Sequence, residues 1–294
     1  MTKLSNLVFF GTEDFSVPSL EALLSAGWPV LAVVTKPDSP AGRGRKLRQS
    51  KVKTVAQKAG VKVLEPNKIT EIEAAVKALK PDLGVLVAYG KIIPQKIIDL
   101  FPGGIVNVHP SLLPRYRGPS PIEAAILNGD SETGVSLMRL TAGMDEGPVY
   151  AQKRVELSGS ETGAELEEQL AGLGASMLLD RLTDIAAGFL TPKPQIDREA
   201  SYSQLLNKAD GWIDWRKPAE AYERQVRAYN AWPKSRTKLH GAEVVITKAR
   251  IASSKDDGAL VLPAKPGFLE IQELITPSGR RTSGADFVRG YAKN

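Results

Sequence analysis

The chain changes its hydrophobic rhythm near residue 190. Before that point, short unbroken apolar runs alternate with stretches of helical spacing. LVFF (7–10) runs into Gly11, and VPSLEALLSAG (17–27) repeats apolar residues every three or four positions and ends in glycine, which predicts a strand followed by a helix. VLAVVT (30–35), DLGVLVAYG (82–90) and GIVNVH (104–109) read as strands covered on both faces. Thr70 followed by Glu73 reads as a capping box opening a helix to about Lys80. Leucines and alanines recurring over 160–187 predict one long helix, slightly weakened by its glycines. Buried strands alternating with helices predict an α/β fold, a Rossmann-like, doubly wound and mostly parallel sheet. Such sheets bind ligands beyond the carboxyl ends of their strands, where Gly11, Tyr89-Gly90 and Asn107–His109 fall.

Past that point the pattern shortens. LTPKPQIDREASYSQ (190–204) is polar with two prolines and reads as a linker. One helix-like stretch, PAEAYERQVRAY (218–229), precedes the β-type runs EVVITKARI, GALVLP and FLEIQELITP. Their close spacing predicts a smaller C-terminal β-barrel of OB-like type. The expected organisation is a catalytic domain over 1–189, a linker over 190–207 and a second domain over 208–294.

Composition narrows the chemistry. With 42% apolar and 24% charged residues the 294-residue chain has the make-up of an ordinary globular protein. It has no cysteine and two distant histidines, so disulfides and thiolate metal sites are excluded and no metal is expected. The opening MTKLSNLVFFGTEDF resembles neither a signal nor a transit peptide, which predicts a cytoplasmic protein. Residues 1–207 carry 23 Lys+Arg and 23 Asp+Glu, whereas 208–294 carry 16 and 10. The net charge of +6 therefore lies entirely in the last third, which points to a polyanionic partner.

No GxGxxG, no phosphate-binding GxxxxGK[ST] and no serine-hydrolase elbow is present. What stands out is Asn107 and His109 at the end of an apolar run, and Asp145 in a loop between Gly143 and Gly147. If that loop folds over His109, an amide donor, an imidazole and a carboxylate converge. That set suits acyl transfer through a tetrahedral intermediate whose nucleophile belongs to the substrate. His240 reads as a turn residue, and Trp212, Trp215 and Trp232 read as core.

The stretch NVHPSLLPRYRGPSPIEAAILNGDSETGVSLMRLTAGMDEG (107–147) resembles the signature of the folate-dependent formyltransferases. FFGTEDFSVPSL, VAYGKIIP and DWRKPAEAYERQVRAYNAWP are similar to other parts of that family, and TKPDSPAGRGRKLRQSKVK to the loop of its branch acting on transfer RNA. The resemblance covers essentially the whole chain. It implies that Asn107, His109 and Asp145 are the catalytic trio. It implies that Ser111, Leu112, Leu113 and Pro114 line the folate site, and that Leu86, Val87, Ala88 and Tyr89 border the pterin mainly through backbone groups. The implied donor is 10-formyltetrahydrofolate. The implied acceptor is the α-amine of methionyl initiator tRNA, gripped by Arg43, Arg45 and Lys46 of a loop that also holds Lys36, Arg48, Lys51 and Lys53. A monomer is expected. Glu13-Asp14 and Ala231 depart from the family pattern. An amino-sugar nucleotide as acceptor, or water, would use the same trio; a non-catalytic RNA-binding role is the alternative of another class.

Overall fold

The computed structural model describes residues 5–41, 46–254 and 259–291. The chain forms two compact units, one of Met1–Pro119, Thr133–Val155 and Glu167–Ser203, the other of Ser120–Glu132, Glu156–Leu166 and Gln204–Asn294.

In the first unit β1 (Leu7–Gly11) leads into α1 (Val17–Ser25) and β2 (Val30–Val34). A small hairpin follows, β3 (Ser39–Ala41) against β4 (Lys46–Arg48), then α2 (Lys51–Lys58) and β5 (Lys62–Leu64). Next come α3 (Glu73–Leu79), β6 (Leu83–Val87), α4 (Gln95–Ile98) and β7 (Ile105–His109). After α5 (Pro121–Asn128), which belongs to the second unit, the chain adds β8 (Glu132–Arg139), β9 (Val149–Glu156) and the long α6 (Gly163–Ala186). The sheet order is β5-β2-β1-β6-β7-β8-β9, with parallel pairing from β5 to β7 and β8 antiparallel to β7. This is the expected doubly wound sheet, and β1 with its neighbours β2 and β6 marks the point where the order reverses. Val8 and Phe10 on one face of β1 and Leu7 and Phe9 on the other are all buried, so the strand is covered on both faces as its apolar run requires. Gly174 of α6 serves packing: a Cβ there would stand 2.7 Å from Val108 Cγ1, so the glycine lets the helix lie close on β7.

Two local expectations change. The capping box at Thr70 does not form. Ile69–Ile72 make a 3₁₀ turn without a side-chain cap, because Ile69 and Ile72 are drawn into the core and Glu71 accepts the Asn67 N–H instead. The segment read as a linker is docked over most of its length: residues up to Ser203 belong to the first unit, and Lys193 exchanges two 2.8 Å backbone bonds with Val149.

The second unit holds α7 (Ala219–Ala228), β10 (Ser235–Leu239), β11 (Ala242–Ala252), β12 (Val261–Pro263), β13 (Phe268–Ile275), β14 (Arg281–Ser283) and α8 (Gly284–Tyr291). The antiparallel order is β10-β11-β13-β12, with β14 also on β13. Register shifts near Lys248 bend β11, which curls the sheet into a half-barrel. Tyr222 and Val226 of α7 and Phe287 of α8 fill its core with Val244, Leu269 and Leu274. Here too the expectation is adjusted, since Trp212 and Trp232 stand 43% and 53% exposed. Trp212 precedes the core residue Ile213 and so takes the outward face, while Trp215 is tied by its indole N–H to Thr237 Oγ1 at 2.8 Å.

Candidate active site

β7 carries two polar residues into an apolar sheet. Asn107 and His109 alternate with Val106 and Val108, so both face the same side, and both are buried, 4% and 5% exposed. Buried polar groups need partners, and these two have few. His109 Nε2 lies 2.9 Å from the Tyr116 carbonyl. A carbonyl only accepts, so Nε2 carries the proton and Nδ1 is the ring atom left for chemistry. Nδ1 faces Asp145 Oδ2 at 3.8 Å, beyond direct hydrogen-bond reach. Asn107 Nδ2 donates to Asp145 Oδ1 at 3.4 Å. The trio expected from sequence is thus brought together.

Asp145 reaches this place from the β8–β9 connection. The left-handed residue of that turn is Asp145 itself, φ 49°, rather than either flanking glycine. Aspartate tolerates this region better than most residues, at a cost of roughly 1–2 kcal/mol. Its Oδ2 accepts the Gly118 N–H at 2.8 Å, which fixes one face of the carboxylate and leaves Oδ1 towards Asn107. Gly118, φ 107°, must be glycine here, since a Cβ would meet the Ser203 carbonyl at 2.7 Å.

The loop after β7 is built from hydrogen bonds within itself and to β8. Ser111 is fully buried, its hydroxyl donating to the Arg115 carbonyl and its carbonyl accepting from Ser136 Oγ, each at 2.6 Å. Ser136 Oγ accepts the Leu113 N–H, and Gln152 Nε2 donates to the Leu113 carbonyl at 2.7 Å. Ser111 and Leu113 therefore shape the loop, with Leu112 and Pro114 half-buried along it. At the neighbouring strand end, Leu86 pairs with Asn107 and Val87 with Val108, so Ala88 follows beside the trio. The Ala88 carbonyl accepts the N–H groups of Thr12 and Glu13, and the Tyr89 carbonyl accepts from Thr12 Oγ1. The Tyr89 side chain turns into the hydrophobic core against Phe10, with rings 5.8 Å apart. Burial pushes its hydroxyl pKa up to about 12.

The basic loop is less uniform than its sequence. Arg43 and Arg45 lie outside the described residues, and Lys46 begins β4. Lys53 is not a surface cation: it is buried between Asp38 and Glu65, at 2.9 and 2.8 Å, and Glu65 first and then Asp38 hold its ammonium above the usual lysine range. Lys36 pairs with Glu13 at 3.2 Å and Lys51 with Asp14 at 2.7 Å. The acids that depart from the family pattern thus stand at the tip of β1 as partners for the root of the basic loop.

Sequence reasoning missed four groups at the site: the Tyr116 carbonyl, the Gly118 N–H, Arg117 and Gln195. Two are backbone, invisible in side-chain chemistry. Arg117 carried a usable signal, an arginine beside glycine in the motif, whereas Gln195 follows Pro194 in a polar stretch and carried none.

With that geometry in view, the comparisons are specific. The family model described as formyl transferase matches residues 5–182, and that of the formyl transferase C-terminal domain matches 205–292. A methionyl-tRNA formyltransferase of Halorhodospira halophila is 41% identical over 298 residues, covering 97% of this chain and 96% of that one. A protein of the same name from a Roseiflexus species is 44% identical over 298 residues, covering 97% and 92%. Among solved structures, an N-formyltransferase from Helicobacter canadensis, in complex with folinic acid and dTDP-3-aminofucose, superposes with a TM-score of 0.68 over 97% of each chain at 19% identity, a likeness of fold. Matched by both domain models and alike to its relatives from end to end, the chain belongs to the formyl transferase family.

Proposed function

We infer that this protein transfers the formyl group of 10-formyltetrahydrofolate to the α-amine of methionyl initiator tRNA. The observation that carries the reading is the buried convergence of Asn107, His109 and Asp145 at the carboxyl end of β7. End-to-end likeness to methionyl-tRNA formyltransferases, C-terminal domain included, supports the acceptor. The basic excess of residues 208–294 supports a polyanionic substrate, and a tRNA acceptor supports work in the cytoplasm. Arg43, Arg45 and Lys46 are proposed as phosphate contacts.

The neutral α-amine attacks the formyl carbon, forming a C–N bond and putting negative charge on the formyl oxygen. Asn107 has a second amide hydrogen beyond the one directed at Asp145, and it donates to that oxyanion. His109, when protonated at Nδ1, is the second donor, with the Asp145 carboxylate 3.8 Å away to sustain the imidazolium. Collapse breaks the bond from the formyl carbon to the folate nitrogen. The proton shed by the attacking amine ends on that nitrogen, with His109 and Asp145 as the groups that hold it in passage. Ser111–Pro114 and Leu86–Tyr89 flank this point as the folate-side wall.

The discriminating experiment offers purified protein 10-formyltetrahydrofolate with methionyl initiator tRNA, an amino-sugar nucleotide, or water alone. Formylation of the tRNA is the expected result. Formylation of the sugar keeps the chemistry and overturns the acceptor, and formate release without an acceptor points to a hydrolase.

A further inference from the structure

The segment read as a linker does something more definite. Gln195 Nε2 lies 2.7 Å from the Asp145 carbonyl and 2.7 Å from the Gly147 carbonyl. Two carbonyls can only accept, so the amide nitrogen must face them and Oε1 must face away. Oε1 accepts the Arg117 Nε–H at 3.0 Å. Arg117, with its side chain only 3% exposed, also bonds Asp197 at 2.7 Å and the Tyr202 hydroxyl at 3.2 Å. Ser201 Oγ accepts the Tyr116 N–H at 2.9 Å, and the Arg117 backbone exchanges bonds with Ser201 and Ser203 at 2.9 and 2.8 Å. One short stretch of chain therefore holds both loops of the site. Its first half grips the turn on which Asp145 adopts a left-handed backbone; its second half grips Tyr116, whose carbonyl sets the His109 tautomer.

We propose that Lys193–Ser203 is a strap that sets the catalytic geometry, and that Gln195 is its positioning residue for Asp145. The proposal rests on the assignment of Asp145 and His109 as catalytic. The geometry makes a sharp demand of position 195. Glutamate has the same shape and keeps the contact with Arg117, yet it would present an oxygen to two carbonyl oxygens. The Asp145 turn would then lose both of its holding bonds, and the carboxylate would leave the position that Gly118 and Asn107 define.

The test compares Gln195→Glu, Ser201→Ala and Asp145→Asn with the unaltered enzyme, reading kcat, KM for each substrate, the pH profile of kcat and the melting temperature. Gln195→Glu is expected to lower kcat tenfold or more while KM for folate and tRNA stays within about threefold, since the group acts on the reacting geometry rather than on binding. Ser201→Ala is expected to lower kcat several-fold and to change the pH profile of kcat. A strap that only stabilises the fold would instead lower the melting temperature and leave kcat and the profile of the folded enzyme unchanged. If Asp145→Asn is inactive while both strap variants keep full kcat, the strap proposal is overturned. An Asp145→Asn enzyme with full kcat would overturn the site assignment beneath it. Should Gln195→Glu fail to fold, the pH profile of Ser201→Ala decides alone.

Discussion

Two loops leave the carboxyl end of the same sheet, and they are made in opposite ways. The one after β7, residues 110–118, is bound to itself, to β8 and to the strap by short hydrogen bonds from buried groups such as Ser111, Ser136 and Arg117. The one after β2 is secured at its root. Thr35 is buried against Thr12 and Ser50, Lys53 is clamped by Asp38 and Glu65, and the hairpin β3–β4 extends from there, with Leu47 72% exposed. The difference matches the roles proposed for the two loops. A donor to a developing oxyanion works only if it is already in place when charge appears. Gripping a polyphosphate backbone asks for positive charge within reach, and a Debye length of about 8 Å tolerates loose placement. On the proposed roles, a loop bonded throughout suits the reacting formyl group, and a loop secured at its root suits the tRNA backbone.

The comparison breaks most readily at the rigid loop. His109→Ala should lower kcat about a thousandfold or more, a loss of roughly 4 kcal/mol in transition-state stabilisation, with tRNA affinity little changed. Single-turnover formyl transfer and a tRNA-binding titration on the same preparation check it, and lost binding with normal turnover would refute the assignment. Next in size is the anchored root. Lys53→Met leaves the partly exposed Asp38 and Glu65 facing each other without their cation, which should cost about 1 kcal/mol, as for the loss of screened ion pairs. The loss should appear as a lower melting temperature and a raised KM for tRNA, with kcat at saturating tRNA unchanged. Smaller again is Arg43→Ala, expected to raise KM for tRNA several-fold and to flatten its salt dependence by about one phosphate contact. Unchanged tRNA kinetics would leave the loop a mere basic surface.

How far the sequence carried depends on which forces placed each part. The parallel strands were legible because unbroken apolar runs have one good solution, burial between two helical layers. The candidate trio was legible in part, because Asn107 and His109 sit where such a sheet ends and Asp145 in a glycine-flanked loop, while its catalytic role was implied by the family resemblance. The strap was not legible. Its polarity and prolines argue for exposure, whereas its hydrogen bonds go to backbone carbonyls and N–H groups that no side-chain pattern advertises. The capping box misled for a related reason: the local motif at Thr70 lost to two isoleucines with a core to fill. Lys53 looked like one cation among seven, and only the fold places Glu65 beside it. Trp212 was read as core on its chemistry alone, while the alternation next to Ile213 turns it outward.

The smallest expected effect concerns the floor between the two loops. Thr12 Oγ1 accepts the Lys36 N–H from the basic loop's root and donates to the Tyr89 carbonyl beside β7, so the backbone at 89 belongs to both loops while its side chain belongs to neither. The Tyr89 hydroxyl has no partner among the described residues and is held up to about 12 by burial. An unfolded tyrosine titrates near 10, so between roughly pH 10 and 12 the unfolded chain has released a proton that the folded chain still keeps. Stability must then fall as pH rises through that window. Tyr89→Phe removes this contribution and the desolvated hydroxyl together. The variant should be as stable as the parent at pH 7, or more stable by up to about 1 kcal/mol, with the margin widening towards pH 11. Tyr229, also pushed up to about 12 by burial, keeps the remaining alkaline slope in place. Because the strand end meets the pterin through backbone in the proposed site, KM for folate should not move. A several-fold rise in that KM would put the Tyr89 side chain in the folate pocket and make the floor part of the rigid, catalytic half of the comparison.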